Sequence, residues 1–171
     1  IKLTLASGRL VTLLPEQACP TRFELGGPGK RALADGARVV IERDFPGLSY
    51  SEDELAAAIA HELAHNLLDH RNWLDAQGRK QAQIRLTERE ADRLMPWLLA
   101  NAGYDPGAAT RFIARWGPSH SGGLFRKRSH DGWDERRAVI DAEVSLVREA
   151  WSTSGAADWS RGFRREFPTP R

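Results

Sequence analysis

The stretch from Ser51 to Leu68 constrains this chain more than any other. Ser51 is followed by Asp53 and Glu54, an N-terminal helix signature, and Leu55, Ile59 and Leu63 recur at i, i+4 and i+8. The spacing predicts a helix over residues 52–69. Its remaining positions are crowded with alanine (Ala56–Ala58, Ala60, Ala64), so another helix can approach closely. His61 and His65 stand four residues apart on it. That spacing stacks two imidazoles on one helix face, about 6 Å apart at Cβ, and suits both to one metal ion. Glu62 is offset by about 100° and sits at the edge of that face, able to reach a water at the metal without ligating the metal.

Composition narrows the chain to a folded globular domain and leaves its function open. A chain of 171 residues, 41% of them apolar, suits one domain with its own core. The six Trp and six Phe exclude disorder. The longest apolar runs, Leu55–Ala60 and Leu94–Ala100, fall short of the roughly 18 residues of a membrane span. Cys19 is the lone cysteine, so neither an internal disulfide nor a multi-cysteine metal site is available. The net charge is +2, with 12 basic and 8 acidic side chains in residues 111–171. Those basic residues are interrupted by acids and lack interleaved aromatics, which argues for a solvated surface and against nucleic-acid binding. Ile1 in place of a starting Met is expected of a processed product or an excised fragment.

Around the central helix, residues 1–36 read as short strands and turns broken by Pro15, Pro20 and Gly26–Gly29. A β-branched strand is expected at Ala37–Glu42. Residues 71–86 are polar and read as a loop or an irregular helical excursion. Thr87 and Glu90 match a capping box, so a helix is expected from Thr87 to near Gly103, bent at Pro96. A third helix is expected from Asp105-Pro106 to Gly117, then a gate-like loop over residues 118–132. A last helix over residues 134–151 should bury Ile140, Val144, Val147 and Trp151. This reading gives one domain over residues 1–151 and a tail over residues 152–171.

A catalytic zinc site needs a third protein ligand and an open fourth position. The segment Thr87-Glu88-Arg89-Glu90-Ala91-Asp92 offers carboxylates, and Glu88 and Glu90 cannot both face the histidines. Glu90 is the expected ligand, against a competing role as the capping partner of Thr87. Asp92 is placed to fix a ligating histidine through its second ring nitrogen.

His61-Glu-Leu-Ala-His65, with Glu90-Ala-Asp-Arg93 and Ala102-Gly-Tyr-Asp-Pro106, resembles the M48 family of zinc metallopeptidases, in its soluble, BepA-like branch. The resemblance covers roughly residues 37–140. It implies a mainly helical α+β, zincin-like fold, with a small sheet whose edge strand borders the active-site cleft. It implies one Zn2+ per chain held by His61, His65 and Glu90, with Glu62 as general base. An extended protein or peptide substrate is expected along strand 37–42, which would take it up as one more strand. Ser129-His130-Asp131, with Arg136 six residues after the histidine, resembles the family's S/T-H-P segment, although Asp131 replaces the proline. His130 would then face the zinc, either stabilising the oxyanion or occupying the fourth site. His70 also matches a position often held by histidine and is read as a support behind the ligands. Periplasmic or cell-envelope localisation follows from the resemblance. The rival reading is a catalytically latent, zinc-stabilised binding or chaperone-like module.

Overall fold

The computed structural model describes residues 21–120 and 132–167. Three short strands precede the helices: β1 (Arg22–Leu25), β2 (Ala32–Ala34) and β3 (Arg38–Ile41). They form one mixed sheet in the order β1-β3-β2. β1 runs parallel to β3, with Phe23 opposite Val39, and β2 runs antiparallel to it, with Leu33 opposite Val40. The β2–β3 turn is held by Asp35, whose Oδ1 accepts from the Ala37 and Arg38 N–H groups at 3.0 and 2.7 Å. Gly36 adopts a φ of +96°, which a residue without Cβ tolerates best. Val39 and Ile41 point into the core, and Val40 faces the other way, as the two-residue strand period requires.

Among the described residues, six α-helices follow the sheet: α1 (Glu52–Leu67), α2 (His70–Gln77), α3 (Gln81–Asn101), α4 (Ala108–His120), α5 (Trp133–Ser154) and the short α6 (Trp159–Gly162). The fold is therefore α+β and mainly helical. α1 opens with a capping box: Ser51 Oγ accepts from the Glu54 N–H, and Glu54 Oε2 accepts from the Ser51 N–H, both at 3.2 Å. Leu55, Ile59 and Leu63 are fully buried, and so are most of the alanines between them, because α1 is packed on several sides. α3 crosses it with Leu94, Met95, Leu98 and Leu99 inside. α5 completes the core with Ile140, Val144 and Val147. Asn66 pins the hairpin to α1: its Oδ1 accepts from the Gly36 N–H at 2.8 Å, and its Nδ2 donates to the Arg38 carbonyl at 3.1 Å. The sheet is thereby fixed next to His61, Glu62 and His65. Among the described residues, no helix is long and apolar enough to cross a membrane.

Four expectations change. The strand at 37–42 is central, flanked by β1 and β2, so it has no edge for a peptide to join. The edge facing α1 belongs to β2. The polar stretch 71–86 takes the helical of its two expected forms, but as two regular helices: α2 is capped by Gly78, whose φ is +78°, and α3 begins at Gln81. Its first two turns carry few apolar residues, so periodicity misses them, and Thr87 lies inside the helix with its hydroxyl on the Ile84 carbonyl at 2.8 Å. Trp151 is half exposed, one turn beyond the buried stripe of α5. Finally, the segment read as a tail is tied to the core, where Ala157 and Phe163 are buried. The Phe163 ring lies under the Arg93 guanidinium, 5.2 Å from it, and Phe167 packs on Trp73 at 4.3 Å between centroids.

Candidate metal centre

His61 and His65 turn their Nε2 atoms toward one another, 3.3 Å apart. Glu88, near the middle of α3, closes the group: its Oε2 lies 3.4 Å from His61 Nε2, and its Oε1 3.4 Å from His65 Nε2. An ion bound tetrahedrally at about 2.0–2.1 Å sets its ligand atoms about 3.3–3.4 Å apart. All three separations match that edge. Two imidazoles and a carboxylate, one buried and two half-buried, are thus a donor set and a spacing that fit zinc.

The carboxylate that stands beside the two histidines is Glu88, whereas the sequence pointed to Glu90. Glu90 is fully buried, and both its oxygens are saturated. Oε1 accepts from Arg165 Nε at 3.2 Å and from the Glu166 N–H at 3.0 Å. Oε2 accepts from Arg165 Nη2 at 2.9 Å and lies 3.0 Å from His70 Nε2. A carboxylate offers about four acceptor positions, so none is left for a metal. The helix geometry explains the exchange. Residues four apart share a face, so Glu88 lies on the same side as Asp92, whereas Glu90 is about 160° away from both.

Asp92 stands where the sequence placed it, behind the first ligand. Its Oδ1 is 3.1 Å from His61 Nδ1, although the ring is turned outside good hydrogen-bond geometry. Arg136 grips the same carboxylate in bidentate fashion, with Nε and Nη2 each 2.7 Å from an oxygen. Both residues are buried. Burial would push Asp92 upward, but Arg136 and His61 hold it below the usual carboxylate range. Removing Arg136 strands a buried anion, so Arg136→Met should destabilise the protein by about 3–5 kcal/mol at neutral pH. Denaturant unfolding measures this, and an unchanged midpoint would contradict it.

Electrostatics make the site cation-seeking. Burial alone would push His61 down, but the Asp92 and Glu88 carboxylates reverse this and hold its pKa up at about 10. Burial takes His65 down to about 3, outweighing the upward pull of Glu88. Burial likewise pushes Glu62 up to about 7, against the pull of His61 and Arg136. The Ala34 backbone, at the outer edge of β2, adds a small downward pull on Glu62. Glu42 donates its N–H to the Arg31 carbonyl, and Asp35 donates its own to Arg38, so the odd residues of β2 face β3. Ala32 and Ala34 therefore turn their backbone polar groups outward, away from β3.

Residues 31–87 match the model of peptidase family M48. The matched span runs from the β2–β3 hairpin through α1 and α2 into α3, and it stops one residue before Glu88. The M48 match supports a peptidase, a protein substrate and, with the His61, His65 and Glu88 group, a metal-dependent one. No curated protein matches the chain.

Three further sites stand as follows. His130 lies outside the described residues, as does most of the expected gate over 118–132. His70 is buried behind His65, with its Nδ1 2.9 Å from His65 Nδ1. Arg165 was not legible in the sequence, because a lone arginine in a segment without periodicity carries no signal of the buried glutamate it meets.

Proposed function

We propose that this chain is a zinc-dependent endopeptidase in which His61, His65 and Glu88 hold one ion and Glu62 is the general base. The observation that carries the reading is the set of three ligand–ligand distances, 3.3, 3.4 and 3.4 Å, with Glu62 adjacent on the same helix. Bound there, zinc supplies Lewis-acid activation of a water and of the scissile carbonyl. Glu62 takes the proton from the attacking water and returns it to the leaving amine. A carboxylate whose pKa is raised to about 7 is suited to doing both near neutral pH. The outer edge of β2 is the side on which an extended substrate can add as a strand. By resemblance, His130 is the second donor to the developing oxyanion.

The direct test is removal and return of the metal. Chelation should abolish cleavage of an unfolded protein substrate, and one equivalent of zinc per chain should restore it. Cleavage that survives in the chelated protein would overturn the reading. Binding of unfolded protein with no cleavage in the zinc-loaded form would favour the latent module instead.

Zinc binding is also expected to release a proton. The metal-free His61, with a pKa of about 10, is charged at neutral pH and must lose its proton to ligate. Affinity should therefore rise by about tenfold per pH unit between about pH 7 and 9, if one proton is exchanged. Calorimetry in buffers of different ionisation enthalpy counts the proton, and a count of zero at pH 7 would contradict the sign.

A further inference from the structure

His65 is held from behind by a chain of buried groups that ends in the C-terminal segment. His65 Nδ1 is 2.9 Å from His70 Nδ1, and His70 Nε2 is 3.0 Å from Glu90 Oε2. Glu90 in turn receives two bonds from Arg165 and one from the Glu166 N–H. Arg165 also donates to the Leu68 carbonyl, at 3.0 Å, in the turn between α1 and α2. Phe167 covers the assembly, packing on Trp73 and lying 6.1 Å from the His70 ring.

Chemistry fixes the protons along this chain once His65 Nε2 faces an ion. The His65 proton must then sit on Nδ1, and two ring nitrogens 2.9 Å apart can share only one proton. His70 Nδ1 is therefore the acceptor, and its own proton is on Nε2. Glu90 accepts that proton as an anion, since its four neighbours all donate. The same logic serves His61 more directly, through Asp92 backed by Arg136. Each ligating histidine thus rests on a carboxylate neutralised by an arginine, and only the His65 arm needs an intervening ring.

We infer that His70, Glu90 and Arg165 are positioning residues for the metal centre: they form a relay that sets the tautomer and orientation of His65, and the C-terminal segment closes it. The inference rests on the zinc reading above, but not on catalysis. Partners behind a ligating histidine typically change metal affinity by about 10–100-fold when removed.

The test measures zinc affinity by chelator competition, together with imidazole nitrogen spectra of the zinc-loaded protein labelled with 15N-histidine. His70→Phe removes acceptor and donor alike and should weaken zinc binding by about 10–100-fold. His70→Gln offers a carbonyl oxygen toward His65 and an amide N–H toward Glu90, and it should bind zinc close to the wild-type affinity. In the wild type, the proton should be on Nδ1 of His65 and on Nε2 of His70. Wild-type affinity in His70→Phe, or a proton on Nδ1 of His70, would overturn the relay. If His70→Phe does not fold, the wild-type spectrum decides by itself. A wild type that binds zinc but hydrolyses nothing would remove the peptidase reading and leave the relay standing. A wild type that binds no zinc would remove both.

Discussion

Glu62→Gln should cut peptide hydrolysis by about 10²–10⁴-fold, the usual share of a general base, while one zinc ion per chain stays bound. The substitution keeps the size and shape of the side chain. It removes only the ability to take a proton. Because His61, His65 and Glu88 converge without Glu62, the metal content should not change. Folding should be undisturbed or slightly favoured, since burial already disfavours the charged form of Glu62. Metal analysis and the rate of cleavage of an unfolded protein are the two measurements. Turnover close to wild type would remove Glu62 from the mechanism. Loss of zinc along with activity would mean that the carboxylate serves the ion and not the water.

The second large effect separates Glu88 from Glu90. Glu88→Gln takes away the anionic ligand and should weaken zinc binding by more than the about 100-fold upper limit seen for supporting partners. Glu90→Gln should stay within that limit, because it acts two residues back from the ion, through His70 and His65. Glu90→Gln should carry its main cost in stability instead: Arg165 and the Glu166 N–H lose the charge they surround. Zinc titration and denaturant unfolding on the two variants resolve the pattern. Equal zinc affinity in wild type and Glu88→Gln would return the third ligand to question.

The glutamate that stands beside the two histidines was within reach of the sequence. Once Asp92 is placed behind a ligating histidine, helix geometry puts Glu88, four residues earlier, on the same face and turns Glu90 away. The apparent capping box at Thr87 hid this by starting the helix six residues late. With α3 beginning at Gln81, Glu88 lies in its second turn, and the face is no longer ambiguous. The sheet edge failed for a different reason. A β-branched run such as Arg38–Ile41 signals a strand, but the strand order depends on which neighbours pair with it. A weak segment like Ala32–Ala34 gives no sign that it will take the outer place.

Local order decided the chemistry. The periodicity of α1, its Ser51 cap and the four-residue spacing of His61 and His65 set the two histidines and Glu62 on one helix, because a single helical turn is enough to bring them together. Tertiary structure decided everything that depends on distant segments meeting. It selected Glu88 over Glu90 through the rotation of α3 against α1, and it made β2 the edge beside Glu62. It also brought Arg165 across 75 residues to neutralise Glu90. A buried carboxylate needs partners wherever they come from, and nothing in the pattern around either residue records that they are one.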